Sequence, residues 1–283
     1  MTVQQPLYLE HDCHGTDGRT DHDPLRPFLL PLMALAVVGL FLVAPWPLDA
    51  KLQAALHGLC AQRASHTLRL GGQLLPFDAR MTGIYGGFFV TTAYLLVRGR
   101  FRSFRLPKPA IAVMLGLFVA VMAVDGFNSL LLDLGLRHLY TPQNALRLVT
   151  GQLTGITLST VVCFLLATSL WRDGHWHAAT IGSLRELGVV VAIQAPFVWA
   201  TMSGMGLWYV PVALLLMMAA IGVVAMVMLV VLVLLRRADR TFDGWSEIQV
   251  ASGHALLLGI TLIGVLGATR YLLEHLTNVR ALP

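Results

Sequence analysis

Charged residues are scarce in this chain. Asp, Glu, Lys and Arg together make up 12% of its 283 residues, whereas an ordinary soluble domain carries about 25%. Hydrophobic residues make up 56%, which is more than one globular core can bury. The composition therefore excludes an ordinary soluble protein. The net charge of +5 does not indicate nucleic-acid binding, because the basic residues lie mainly in short loops beside apolar runs.

Cysteine is also rare, and familiar catalytic motifs are missing. Cys13, Cys60 and Cys163 lie far apart, so they predict no disulfide framework. The chain has no strict internal repeat and no dinucleotide, P-loop or zinc-protease pattern. Its first apolar run follows no basic segment and has no small-residue cleavage site, which favours a retained span over a signal peptide.

The chain does contain a series of long apolar runs. A helix needs roughly 20 such residues to cross a hydrocarbon core of about 30 Å. We therefore predict an all-α fold, a polytopic integral membrane helical bundle with about seven transmembrane helices and one short interfacial helix. These spans cover residues 28–46, 81–97, 109–132, 148–171, 187–208, 212–235 and 250–273. Residues 27–283 then form a single membrane domain.

Two segments lie outside the predicted spans. Residues 1–26 are acidic, rich in turn-forming residues and without apolar periodicity, which predicts a flexible cytoplasmic tail. Residues 48–80 begin with apolar residues at the three- and four-residue spacing of one helical face. This segment is too short and too polar to cross, so we expect it to lie along the membrane interface or to form a lid.

The basic loops predict the orientation of the bundle. The loop RGRFRSFRLPK, from Arg98 to Lys108, is the densest in basic residues, and such loops stay in the cytoplasm. Counting spans from this loop places the N terminus in the cytoplasm and the C terminus outside. The chain is thus predicted to be a multi-pass protein of the inner membrane, with residues 57–80 on the extracytoplasmic side.

Three charged residues are predicted to meet near the outer face of the bilayer. Asp125 lies sixteen residues after Pro109, hence about 24 Å along its helix from the cytoplasmic end. A charged residue at the centre of a span costs about 2.5–3.5 kcal/mol on insertion scales, so this carboxylate needs a partner or a wet cavity. Arg80 precedes one span and Arg147 opens another on the same side. We expect these three helices to bring their charges to one depth.

Polar residues beside these charges complete a candidate pocket. Asn128 shares a helix face with Asp125, and Thr150 follows Arg147 by about one turn. The candidate ligand-binding residues are Arg80, Asp125, Asn128, Arg147, Asp78 and Thr150. One interpretation is a pocket in which the arginines bind a polar, anionic or lipid-like ligand and Asp125 or Asp78 acts on it. The alternative is an ion cluster that only secures helix packing.

A second group of residues has the chemistry of metal ligands. His57, Cys60, His66 and Asp78 could all bind zinc or a similar metal, in a site closed by the turn at Gly71 and Gly72. Only His57 and Cys60, three residues apart on a predicted helix, are fixed relative to each other. A metal is therefore one hypothesis, and the cofactor is otherwise unknown. A nucleophilic Cys60 paired with a histidine is another hypothesis, for which no third, positioning group can be named.

The same region is similar to a known family. Its motifs are, in order along the chain, CAQRASH from Cys60, GGQLLP from Gly71, ARMTGIYG from Ala79, DGFNS from Asp125 and YTPQNALRLVTG from Tyr140. Over residues 56–155 the chain resembles a prokaryotic family of predicted membrane proteins catalogued as a domain of unknown function (DUF2085). The resemblance implies a multi-spanning membrane protein and assigns it no chemistry.

The chain departs from that family at one motif. Many relatives have CARC where this chain has Asp78, Ala79, Arg80 and Met81. Two thiols are therefore absent, and the resemblance does not carry a metal or dithiol site over to this chain. Asp78 could still bind a harder metal.

Three functions from different classes follow from these observations. The first is a pocket for a polar or anionic ligand, with catalysis left open. The second is a non-catalytic subunit or scaffold of a membrane complex, whose partners are other membrane proteins. The third is a small-solute transporter, for which paired broken helices or repeated halves would be the sign. The sequence shows neither sign, and it names no substrate.

Overall fold

The computed structural model describes residues 26–277, so the predicted tail lies outside the described residues except for Arg26. Within this range nearly all regular structure is helical, and the all-α class is confirmed. The nine α-helices described are α1 Arg26–Val43, α2 Leu48–Leu56, α3 Ala79–Val97, α4 Pro109–Asp133, α5 Asn144–Leu170, α6 Leu184–Ala192, α7 Ala195–Met202, α8 Tyr209–Leu235 and α9 Trp245–Thr277.

Two pairs of short strands close the loops between helices. Strand β1 (Arg69–Leu70) pairs antiparallel with β2 (Gln73–Leu74), and Gly71 and Gly72 form the turn between them with φ angles of +58° and +84°. Glycine suits this turn because it has no Cβ to oppose a positive φ. Strand β3 (Ser103–Arg105) pairs in parallel with β4 (His175–Ala179).

Within residues 26–277, five segments are long and apolar enough to cross a membrane. They are Pro109–Asp133, Asn144–Leu170, Leu184–Met202, Gly206–Leu235 and Trp245–Thr277, and they correspond to the last five predicted spans. Of the two other predicted spans, α1 contributes only the shorter apolar helix Leu32–Val43. Helix α3 has 19 residues, but Arg80 and its glycines and threonines make it less apolar. The predicted count of seven is therefore not confirmed.

The loops of the bundle gather at two ends. At the first, Arg172 pairs with Asp243 at 2.8 Å and Arg100 with Glu186 at 3.4 Å; residues 98–108, 171–183 and 236–244 form this basic end. The other end carries Arg80, Asp125 and Arg147, and we call it the cluster end. There, residues 48–78 and 134–143 meet residues 203–208 and the last turns of α9. The Gly71 amide, for example, donates to the Gly204 carbonyl at 2.9 Å. The three loops of the basic end follow the second, fourth and sixth predicted spans, so the predicted topology places them on one side of the membrane, and in the structure they meet.

Helices α3 and α5 form the most extensive helix pair in the described bundle. Gly83 and Gly87 on α3 face Gly151 and Gly155 on α5, and a Cβ on any of the four would overlap backbone atoms of the other helix. Small residues four positions apart let two helix backbones approach closely. The backbone of Arg80 lies against Gly151, about one turn from Arg147, so this contact holds two of the predicted charges side by side.

Helix α4 packs on α5 with its polar side inward. Asp125, Asn128 and Ser129 are buried, whereas apolar residues such as Val113 and Phe127 are exposed. This inversion of the usual pattern suits a helix whose outer face meets lipid, because lipid solvates apolar side chains and leaves polar ones in need of partners.

The close approach of α3 and α5 gives a testable prediction. We expect Gly151→Val to destabilise the protein by about 1–3 kcal/mol, because the added side chain has no space beside the Arg80 backbone. The matched control is Gly116→Val on α4, where no atom lies within 4 Å of the added Cβ. Thermal unfolding of both variants in detergent measures the difference. Equal midpoints would contradict the described packing.

Candidate functional site

Arg80 and Asp125 form an ion pair at the cluster end. Nη2 of Arg80, in the first turn of α3, donates to Oδ2 of Asp125 on α4 at 2.7 Å. The same nitrogen donates to Oγ of Ser129 at 3.3 Å. Asp125 is only 1% exposed, so its carboxylate faces protein and not lipid. The structure thus brings together two of the three predicted charges in direct contact.

Tyr140 is a second partner of Asp125, and the sequence reasoning missed it. Its phenol donates to Oδ1 of Asp125 at 2.8 Å. Asn128 positions this tyrosine, because its amide donates to the Tyr140 carbonyl at 2.8 Å and accepts from the Leu139 amide at 2.7 Å. Burial and the hydrogen bond to Asp125 both raise the pKa of Tyr140, which keeps the phenol protonated as a donor. Tyr140 begins the YTPQN motif, but helical periodicity cannot place a loop residue.

Arg147 is buried and has no acidic partner among residues 26–277. It is 5% exposed, and its side chain donates one hydrogen bond, from Nη1 to Oδ1 of Asn144 at 2.9 Å. Among the described residues, no carboxylate oxygen lies within 4 Å of its guanidinium. Asp125, Asp133 and Asp78 attract it from farther away, while Arg80 repels it. The third predicted charge is therefore near the pair but not part of it.

The segment before α3 covers Arg147. Arg63 pairs with Asp133 at the end of α4 at 2.7 Å, and His66 lies 3.7 Å from the same carboxylate. The amide of Asn144 donates to the Ser65 carbonyl at 3.2 Å. Burial, followed by the positive charge of Arg147, lowers the pKa of His66. Burial is the larger of these two causes, and both disfavour the charged imidazole.

Two predicted site residues form hydrogen bonds with the backbone of their own helices. Asp78 is the N-cap of α3, where Oδ1 accepts from the Met81 amide at 2.8 Å. Thr150 donates its hydroxyl proton back to its own helix, to the carbonyls of Leu146 and Arg147. Both residues lie beside the ion pair, and the hydroxyl of Thr150 keeps a free lone pair for a donor.

The four candidate metal ligands are not assembled. His57 lies between Gln62 and Glu274, with ring nitrogens 3.1 and 2.9 Å from their oxygens, and the Cys60 sulfur accepts from the amides of Gln62 and Asp78. Within residues 26–277, no group of three or more His, Cys, Asp or Glu side chains could hold a metal. The prediction that His57 and Cys60 share a helix face is wrong, because α2 ends at Leu56.

A cavity of about 330 Å³ lies beside Asp125, between α4 and α5. Most of its lining is aliphatic, and its polar lining residues are Asp125, Tyr140 and Thr150. The residues that line it are Leu117, Ala120, Val121, Val124, Asp125, Tyr140, Leu146 and Thr150. A cavity of about 250 Å³ between α1, α2, α8 and α9 is lined by apolar side chains and glycine, so it offers a polar ligand no partner.

The burial of Cys60 gives a prediction about its reactivity. Burial, followed by the nearby Asp78 carboxylate, raises the pKa of the Cys60 thiol to about 11, and only the thiolate is nucleophilic. We expect iodoacetamide at pH 8 to alkylate Cys60 roughly 100-fold more slowly in the folded protein than after unfolding, since each pKa unit changes the thiolate fraction about tenfold. The measurement uses Cys13→Ser, Cys163→Ser protein. Equal alkylation rates in the folded and unfolded states would show that the Cys60 thiol is not buried in the folded protein.

Comparison with known proteins matches this region to one family. Residues 60–161 match the model of the family described as Predicted membrane protein (DUF2085). No curated protein and no solved structure matches the chain. The matched residues begin at Cys60 and end within α5, so they include the ion pair, Tyr140 and Arg147. The resemblance read from the motifs is thus confirmed, and residues 60–161 identify this chain as similar to a membrane protein family of unknown function.

Proposed function

We propose that this chain is an inner-membrane protein that binds a polar or anionic ligand in a pocket at its cluster end, on the extracytoplasmic side. The observation that carries the proposal is Arg147, a residue that is 5% exposed and has no carboxylate within 4 Å of its guanidinium among the described residues. A buried, unpaired charge costs several kcal/mol. A ligand anion would supply the missing partner.

The charges of the cluster favour one anionic group. Arg80 and Asp125 neutralise each other, as do Arg63 and Asp133. Asp78 lies at the N terminus of α3, where the helix dipole and the Met81 amide stabilise its charge. The three arginines and three aspartates of the cluster therefore balance in number, but Arg147 is the one of these arginines that has no carboxylate within 4 Å among the described residues. A guanidinium can form two parallel hydrogen bonds to a phosphate or carboxylate, which lysine cannot do.

The gathering of the three basic loops at the opposite end supports the proposed orientation. Arg98, Arg105 and Lys108 lie there with Arg236 and Arg237, and basic loops remain in the cytoplasm. With that end inside, the cluster end and the end of α9 face outward.

The second candidate function is a scaffold within a membrane complex. It is favoured by the Asp125 carboxylate, whose two oxygens accept from Arg80 and Tyr140 and which is closed to solvent. Such a pair can secure packing without any ligand. This interpretation does not explain why Arg147 is buried beside Arg80 without its own acid.

A transporter has one observation in its favour. The predicted span at residues 187–208 is interrupted between α6 and α7, just before Pro196, and Gln194 at the break bonds Gln152 and Thr91 at 3.0 Å each. A second broken span would be needed to form the usual pair. The other four candidate spans in residues 26–277 contain uninterrupted long helices.

The role of Arg147 can be tested with inorganic phosphate as the probe. We expect phosphate to raise the thermal midpoint of the purified protein, and Arg147→Gln to weaken that binding by about 10- to 100-fold, since a hydrogen bond to a charged group contributes about 1.5–3 kcal/mol. Arg147→Lys should bind phosphate less well than the unchanged protein, because it loses the bidentate geometry. Without phosphate, Arg147→Gln should be at least as stable as the unchanged protein.

The matched control is Arg185→Gln, which removes one positive charge from an exposed residue outside the cluster end. It should leave the phosphate response unchanged. The proposal fails if phosphate has no effect on the unchanged protein, or if both glutamine variants respond equally. A large loss of stability in Arg147→Gln without phosphate would favour the scaffold.

A further inference from the structure

The basic end holds the net positive charge of the chain. Its three loops, extended to include the acidic residues that follow them, cover residues 98–108, 171–186 and 236–247. They contain ten arginine and lysine residues but only five aspartate and glutamate residues. This excess of five equals the formal net charge of the whole chain. The remaining residues therefore carry no net formal charge.

Ion pairs compensate only part of this charge within the described residues. Arg172 pairs with Asp243 at 2.8 Å and Arg100 with Glu186 at 3.4 Å. Five other cations are exposed and have no carboxylate oxygen within 4 Å among the described residues. We call these five the basic patch; they are Arg98, Arg105, Lys108, Arg236 and Arg237.

Backbone and side-chain contacts hold the three loops of the basic end together. Strand β3 pairs with β4, and the Arg172 amide donates to the Phe242 carbonyl at 3.0 Å. Arg102 lies over the Trp171 ring at 4.0 Å and donates to the Asp243 carbonyl at 2.9 Å. The basic patch is therefore presented by loops that pack against one another and not by independent segments.

Arg237 occupies a backbone position that favours glycine. Its φ angle is +53°, in the left-handed region that most side chains avoid. The Ala238 amide donates to the Val233 carbonyl at 3.0 Å and the Arg237 amide to the Leu234 carbonyl at 3.1 Å, which is the hydrogen-bond pattern of a Schellman motif with Arg237 at the usual glycine position. Backbone strain of this kind is common at binding sites, and the Arg237 side chain makes no ion pair within the described residues.

Exposed aliphatic residues adjoin the basic patch in the sequence. They are Val97, which is 86% exposed, Leu106, which is 65% exposed, and Leu235, which is 78% exposed. Val97 and Leu235 are the last residues of α3 and α8. The patch therefore lies where the acyl chains of a bilayer give way to its headgroups, so that cationic side chains can reach the headgroups while their apolar neighbours meet lipid.

We propose that the basic patch binds the headgroups of anionic phospholipids in the adjoining leaflet. Clusters of arginine and lysine beside membrane helices attract anionic lipids, and their cationic groups donate charge-assisted hydrogen bonds to phosphate oxygens. A soluble polyanion such as nucleic acid would leave the adjoining aliphatic residues without a partner of their own chemistry. The inference goes beyond the proposed pocket, because it concerns the opposite end of the bundle and does not depend on Arg147.

Lipid binding is measured by native mass spectrometry on the full-length protein in detergent. The probes are dioctanoyl phosphatidylglycerol, which is anionic, and dioctanoyl phosphatidylcholine, which has no net charge. We expect the anionic lipid to bind about tenfold more tightly than the uncharged one. Inorganic phosphate and a single-stranded oligonucleotide serve as soluble anions.

Substitutions at the end of α8 test the patch. Arg237→Gly removes one charge and relieves the strained backbone, so this variant should be at least as stable as the unchanged protein and should bind the anionic lipid about fivefold more weakly. Arg236→Gln combined with Arg237→Gly should weaken that binding about tenfold or more. The matched control is Arg69→Gln combined with Arg137→Gln, which removes two exposed arginines from the cluster end. It should keep the preference for the anionic lipid, as should Arg147→Gln.

The inference is overturned if the unchanged protein binds the two lipids equally, or if the patch variants keep the full preference. An equal loss in the control would show that only the total charge matters. Tighter binding of the oligonucleotide than of the anionic lipid would make the partner a nucleic acid. A phosphate response that the patch variants lose would assign the patch to free phosphate. Phosphate binding that depends on Arg147 alone leaves the proposed pocket standing whatever the lipids do, so the two proposals fail separately.

Discussion

A carboxylate on the inner face of an otherwise apolar helix has to be neutralised inside the bundle. Arg80 does this for Asp125 at 2.7 Å, and Tyr140 supplies the second donor. The contact depends on the glycines of α3 and α5, because a Cβ at Gly151 would displace the Arg80 backbone. Helix packing therefore sets the positions of both arginines, and the ion pair then fixes α4 against them. The position of α4 in turn sets the position of the loop at residues 134–143, because Asn128 and Asp125 form hydrogen bonds with Tyr140 in this loop.

Much of this arrangement could be predicted from the sequence because its rules are local. Helix length and apolar composition located the five described segments that are long and apolar enough to cross a membrane, and the cost of a charge in the bilayer required a partner for Asp125. The rise per residue brought Arg80 and Arg147 to the same level. Apolar composition is a poor guide to whether helix α3 spans the membrane. This helix is packed between other helices, so it contains glycine and threonine where a lipid-facing helix has aliphatic residues.

The remaining features depend on contacts that no periodicity encodes. Tyr140 lies in a loop, and Glu274 reaches His57 from the far end of the chain. Arg63 and His66 likewise contact Asp133, a residue far from them in the sequence. The metal hypothesis assumed that the helix continued through Cys60, but the chain leaves α2 at Leu56 and its potential ligands find separate partners. The proposed function thus depends on Arg147, which has no acidic partner in the part of the chain that the structure describes, a feature that appears only in three dimensions.

The most direct measurement is a double-mutant cycle of Arg80→Gln and Asp125→Asn, with unfolding measured for the full chain in lipid nanodiscs. If the ion pair organises the cluster, each single variant leaves a buried charge without its partner. The double variant should then be more stable than the sum of the two losses predicts, with a coupling energy of about 1–3 kcal/mol. Additive losses, with no coupling, would show that Asp125 is neutralised by another group and would contradict the account.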